Sequence, residues 1–194
     1  MKGFARKRGM YVAHLDRTER TILSRVVADT ALLLGTRLDV ELPAGAENPL
    51  ASLDWSTDGV AEPTDPALAR LLPSASEDDG VAAEFRRLTD NDLRAAKVDR
   101  LRMVWGALLA PGERLAVAPE KAMDWAAALT DVRLVIAERL EIQTDEDAEA
   151  VYEAASRRRR PGEEVDEVRA ALASLYMALT WLQESLLAVM MRAL

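Results

Sequence analysis

A chain of 194 residues can bury one substantial core, and 49% hydrophobic with 30% charged residues is a globular rather than a disordered composition. The absence of cysteine excludes a disulfide framework, a thiol nucleophile and a zinc–thiolate site, and a formal net charge of -8 opposes attraction to phosphates unless a basic face is segregated. We expect one domain, residues 1–194. Because the sequence contains no signal-peptide core and no apolar run of about 18 residues, we also expect a cytoplasmic location without membrane contact.

The N-terminal part of the chain predicts a small hairpin followed by a helix. Residues 4–15 place Gly9 between two short segments, a pattern that favours a β-hairpin. Asp16, with Glu19 three residues later, matches a capping box. We therefore expect a helix over residues 16–35.

The central part of the chain predicts a loop followed by three helices. Residues 36–64 are rich in proline and glycine with little periodicity, and we expect a mobile loop within the domain in preference to a segment that a partner orders. Short helices are expected at 65–72, where a proline occupies the first helical position, and at 80–88. A longer helix is expected over 89–110, because Thr89 matches the N-cap of a capping box.

The C-terminal part of the chain predicts three further helices. Residues 119–141 carry apolar residues at helical spacing, and a segment capped by Thr144 follows and runs up to a basic stretch. From Val165 to Ala193, apolar residues alternate spacings of three and four, with a second apolar stripe beside them. The expected fold class is mainly all-α, a helical bundle around a long C-terminal helix with a small N-terminal β-hairpin, and that helix is a candidate homodimer contact.

Several charged residues fall on the apolar faces of the predicted helices. Lys97 and Arg100 share a face with Leu101, and Arg133 and Arg139 show the same behaviour in the helix 119–141. A buried cation without a partner is strongly unfavourable, so such a residue must lose its proton, extend its charge to water or meet a carboxylate. We predict a structural ion-pair network, favoured over a ligand site, formed by Glu84, Arg86, Lys97, Arg100, Asp131, Arg133 and Arg139.

A run of four arginines is the strongest positive cluster in the sequence. Such a run suggests contact with nucleic-acid phosphates. Acidic residues flank it on both sides and no aromatic residue interrupts it, which favours a solvated turn over a DNA-binding segment. The candidate nucleic-acid contacts are Arg157, Arg158, Arg159 and Arg160.

The acidic pairs of the sequence do not indicate a metal site. Asp78 and Asp79 are typical of a helix N-terminus, and the acids within 145–149 are typical of a solvated face. A base, a nucleophile and an orienting group do not occur at a spacing that indicates catalysis. We therefore predict a protein without a cofactor, a metal or an enzymatic activity.

Four blocks of sequence, taken together, resemble a known family. In chain order they are "LDRTERTIL", "DPALARLLPSASEDD" with "AAEFRRLTDNDLRAAK", "MDWAAALTDVRLVIAERLEI" and "LYMALTWLQESLL". These blocks resemble a family of small actinobacterial proteins described as a domain of unknown function, which includes the oxidative-stress regulator AosR. The resemblance spans nearly the whole chain and leaves out the loop 36–64 and the arginine run.

The resemblance implies a non-enzymatic transcriptional regulator. Such a protein would contact an extracytoplasmic-function sigma factor and raise the expression of stress and cysteine-synthesis genes. The switch described for AosR is an intramolecular disulfide, and this chain has no cysteine, so that switch does not carry over.

Three functions remain open at the level of the sequence. We favour a regulator that acts by protein–protein contact and exists as a dimer. The alternatives are direct DNA binding through residues 157–160, and a small-anion-binding protein or enzyme that uses the interior charges. A pocket lined by Lys97 and Arg133 with an unpaired charge would favour the last alternative.

Overall fold

The computed structural model describes residues 1–38, 62–156 and 166–193, which form six α-helices and a three-stranded antiparallel sheet. The elements in chain order are β1 (Lys2–Lys7), β2 (Met10–His14), α1 (Arg17–Leu33), α2 (Pro66–Leu71), α3 (Asp79–Leu109), β3 (Arg114–Val117), α4 (Ala122–Arg139), α5 (Asp145–Ser156) and α6 (Glu167–Met191). A 3-10 turn, Pro119–Lys121, precedes α4. The expected mainly α-helical fold class, with its long C-terminal helix and N-terminal hairpin, is confirmed.

The N-terminal hairpin carries a third strand that the sequence pattern did not predict. Arg8 and Gly9 form the two-residue turn between β1 and β2 with φ angles of 51° and 80°, the left-handed conformation that glycine adopts most easily. β3 then pairs antiparallel with β2, with Tyr11 opposite Val117. Four residues are too few to reveal a strand by their own alternation, so this pairing depends on a contact distant in sequence.

Helix α1 begins as predicted, and its buried face contains Leu23, Val27 and Thr30. Asp16 and Glu19 form the expected capping box. Ile22 is 45% exposed although the helical period places it with the apolar side, whereas Arg20 and Ser24 are buried. The buried face packs along α3.

Helix α3 is one continuous helix from Asp79 to Leu109, so the predicted break between the helices 80–88 and 89–110 is wrong. Asp78 is the N-cap, and its side chain accepts from the N–H of Val81. The Thr89 hydroxyl donates to the carbonyl of Phe85 at 2.9 Å instead of capping a new helix. A threonine can satisfy its hydroxyl in this way inside a helix, so a capping pattern alone does not start one.

The core lies around α4, which packs against α1, α2, α3 and α6, while α6 also packs against β1 and α5. By length and composition α6 is the one helix, among those described, that could cross a membrane. A core helix meets the same criteria, and one face of α6 is buried within the protein by Ala173, Tyr176, Leu179, Leu182, Gln183, Leu186 and Val189. The predicted mobile loop 36–64 falls mostly on residues 39–61, outside the described residues.

Candidate functional site

Lys97 and Asp131 join α3 to α4 through a buried ion pair. The Lys97 Nζ atom lies 2.6 Å from Asp131 Oδ1, and the two side chains are 14% and 5% exposed. The second carboxylate oxygen, Oδ2, is buried and has no hydrogen-bond partner among the described residues. The lysine on the apolar face of α3 is therefore neutralised by the same chain.

Two other predicted cations pair with carboxylates nearer the surface. Arg100 Nε lies 3.6 Å from Asp124 Oδ1, and Arg139 Nη2 lies 2.8 Å from Asp65 Oδ2. The hydrogen bond from Arg139 is the main cause that holds the pKa of Asp65 below its ordinary value. Both pairs link α4 to a neighbouring segment, but both arginines are partly solvated, because a long side chain can carry its charge to the edge of the packed face.

Glu84 and Arg86 lie in the N-terminal half of α3, and among the described residues neither pairs with another member of the predicted network. Glu84 is exposed and accepts two hydrogen bonds from Arg87, at 2.7 and 3.0 Å, which lower the pKa of Glu84. Arg86 Nη2 lies 4.0 Å from a carboxylate oxygen of Glu62. The prediction that Glu84 serves as an anion for the buried cations is therefore wrong, because the partner three residues along its own helix is closer.

Arg133 differs from the other predicted cations because its partners in the described part of the chain are neutral. Its Nη1 atom donates to Gln183 Oε1 at 2.7 Å, and its guanidinium lies 5.3 Å from the centre of the Tyr176 ring. Its Nε atom is buried and has no hydrogen-bond partner among the described residues. The expected carboxylate partner is absent among the described residues, and Lys97 does not line the cavity next to Arg133.

The sequence pattern missed a further buried cation, Arg20. Its guanidinium donates to three carbonyl oxygens at the C-terminal end of α3, those of Ala107 at 2.6 Å, Leu108 at 2.9 Å and Ala110 at 2.7 Å. These carbonyls have no partner within their own helix, and a positive charge is favoured there. Arg20 is therefore a structural residue that ties α1 to the end of α3.

The arginine run, Arg157, Arg158, Arg159 and Arg160, lies outside the described residues. A basic surface is nevertheless present on the hairpin. Residues 1–15 contain four lysines and arginines and no acidic residue. Charged side chains of this kind are also common on edge strands, where they discourage strand pairing with other molecules.

An apolar groove lies between α1 and the first half of α6. Its volume is about 660 Å³. The apolar side chains that line it include Ile22, Leu23, Val168, Ala171, Leu172 and Leu175. Val168 is 71% exposed although the heptad pattern of α6 assigns it to the buried stripe.

The charged groups of this groove are mainly acidic. Among the described residues, its lining contains the carboxylates of Glu19 and Glu167 and no lysine or arginine side chain. Glu19 is paired with the N-terminal amine of Met1. The groove thus combines an apolar floor with an acidic end at Glu167.

Comparison with known proteins gives one result. The sequence profile of a family described as a domain of unknown function (DUF2017) matches residues 1–190. No curated protein and no solved structure matches the chain. The match spans α1 and nearly all of α6, and its description names no activity.

Proposed function

The chain belongs to the DUF2017 family of domains of unknown function, and we propose that it is a cytoplasmic, non-enzymatic transcriptional regulator of the AosR type. In this proposal it acts by protein–protein contact with an extracytoplasmic-function sigma factor. Because the chain has no cysteine, its signal is not an intramolecular disulfide.

The observation that supports a protein-binding role is the apolar groove between α1 and α6, which the described residues leave open. A contiguous apolar surface with exposed Ile22 and Val168 is unfavourable in water unless another molecule covers it. A groove between two helices accepts an amphipathic helix, whose apolar residues at helical spacing fill the floor. We therefore assign the groove as the surface that binds the partner.

The charges of the groove indicate a basic partner. A second copy that docked through the same surface would bring like carboxylates together around Glu167, because a twofold interface pairs a patch with itself. A helix with lysines and arginines beside its apolar stripe would instead be complementary in charge. Proteins that bind nucleic acid carry clustered lysines and arginines, often along a helix, and sigma factors belong to that class.

A single substitution in the groove tests this assignment. Val168→Glu adds a charge at an exposed position, so the fold should stay within about 0.5 kcal/mol of the parent protein. Val81→Glu is the matched control, because Val81 is also exposed but lies on α3, outside the groove lining. The parent protein and the two variants are each immobilised and incubated with a lysate of the cells that encode the protein. The proteins that each one captures are identified by mass spectrometry.

The proposal predicts that the parent and Val81→Glu retain a sigma factor and that Val168→Glu loses it. Titration of the purified sigma factor into each protein by calorimetry should reproduce the same order of affinities. Retention of the sigma factor by all three proteins would reject the groove, and its recovery with none of them would reject the proposed function. Capture of the protein's own untagged copy instead would assign the groove to a homodimer.

A further inference from the structure

Arg133 lines a second cavity, which does not include Lys97 or Asp131 in its described lining. The cavity has a volume of about 250 Å³ and lies between α4, α6 and the turn that precedes α5. Its polar lining includes Arg70, Arg133, Gln143, Thr144 and Asp145. The side chains come from three separate parts of the chain, which makes this a formed cavity rather than a feature of one helix.

The two arginines of this cavity are in different electrostatic states. Arg70 Nε lies 2.5 Å from a carboxylate oxygen of Glu138, and Arg70 Nη2 donates to the carbonyl of Ile142 at 2.8 Å. Arg133 has no carboxylate within 4.0 Å in the part of the chain that the structure describes. The positive charge of Arg133 is therefore the one that a further anion would neutralise.

The partners of Arg133 are held in place by the surrounding structure. The amide nitrogen of Gln183 donates to the carbonyl of Ala126 at 3.1 Å and to the hydroxyl of Thr130 at 2.7 Å, which leaves its amide oxygen to accept from Arg133. The Tyr176 ring packs against the guanidinium. Both partners are neutral, so they orient the guanidinium plane without cancelling its charge.

One further donor of the cavity suits an oxygen-rich ligand. The Thr144 hydroxyl does not, because its oxygen accepts from the N–H of Asp147 at 3.2 Å and the hydroxyl also hydrogen-bonds to the Asp147 carboxylate. The remaining donor is the side-chain amide of Gln143, which lines the cavity. A volume of 250 Å³ corresponds to on the order of eight water molecules, the size of a small carboxylate or phosphate ester.

We propose that this cavity binds a small oxyanion, carboxylate or phosphate, through the guanidinium of Arg133. An arginine matches two oxygens of such a group in a planar arrangement. Asp145 is the one carboxylate in the described lining, and it opposes the anion. This inference does not depend on the proposed sigma-factor contact.

Calorimetric titration with sodium phosphate and, separately, with sodium acetate tests the site, with sodium chloride at equal ionic strength as the reference. Arg133→Gln should weaken binding about tenfold or more, and Arg133→Lys should keep part of it, because the charge remains while the planar donor pair is lost. Asp145→Asn should strengthen binding about two- to threefold, since it removes a repulsive charge from an exposed position. Arg102→Gln, at an exposed arginine of α3 outside the cavity, is the control and should not change the affinity.

The site is supported if phosphate or acetate binds and the affinities of the variants fall in this order. Which of the two anions binds identifies the class of ligand. An equal response to chloride, or equal affinity in Arg133→Gln, overturns the proposal. If Arg133→Gln does not fold, Asp145→Asn still tests the site. Unchanged or weaker binding in Asp145→Asn contradicts an anion that lies beside Asp145.

Discussion

Substitution of Lys97 by methionine removes the cation that faces Asp131 while keeping most of the side-chain volume. The Asp131 carboxylate is almost fully buried, with Lys97 Nζ 2.6 Å from one oxygen and no described hydrogen-bond partner for the other. Loss of one member of such a buried pair typically costs about 3–5 kcal/mol. Since a domain is stable by roughly 5–15 kcal/mol, Lys97→Met should remove a large part of the free energy of unfolding.

Urea denaturation followed by circular dichroism measures this loss. The double variant Lys97→Met with Asp131→Leu should recover most of the stability, because an apolar pair of similar volume can replace a buried ion pair. Arg102→Met is the matched control: its partner Asp99 is exposed, so the change should be within about 1 kcal/mol. The reasoning is refuted if Lys97→Met is as mild as the control, or if the double variant is no more stable than the single one.

Three further changes test other parts of the fold. Arg20→Met should lower the free energy of unfolding by about 3 kcal/mol in urea denaturation, since three carbonyls at the end of α3 lose a charged donor. Gly3→Ala should cost about 1–3 kcal/mol and lower the melting temperature, because the added Cβ would lie 2.8 Å from Ser185 Cβ. Hydrogen bonds from two backbone N–H groups lower the pKa of Asp147, so its stabilising effect is present above its unfolded-state pKa and is lost as the pH falls through its folded-state pKa. Asp147→Ala should therefore destabilise the protein at neutral pH and much less in strong acid. The midpoint of urea denaturation at each of the two pH values measures this difference.

Local signals in the sequence predicted much of the helical fold. The turn at Gly9 and the cap at Asp16 depend on residues close in sequence, and both are present. The helical period predicted that Lys97 faces the interior, but it did not identify which of several acidic residues, here Asp131, is its partner. The prediction that a new helix begins at Thr89 was wrong, because a threonine hydroxyl can either cap a helix or hydrogen-bond to a carbonyl within a helix.

Features that depend on distant contacts could not be predicted in this way. Arg20 is buried because the end of α3 offers it three carbonyls, and that end is 88 residues away from it along the chain at Leu108. The helical period of α6 assigns Val168 to the apolar stripe, but only the tertiary packing determines whether another element covers that position. The groove and the neutral surroundings of Arg133 were therefore visible only in the folded arrangement.

Hydrogen–deuterium exchange with and without the captured sigma factor tests the central claim most directly. If the groove binds the partner, backbone amides of residues 19–26 in α1 and 167–178 in α6 should become protected, while the N-terminal half of α3 should exchange unchanged. The same protection should be absent in Val168→Glu. Protection confined to the hairpin or to α3, with α1 and the first half of α6 unaffected, would contradict the account.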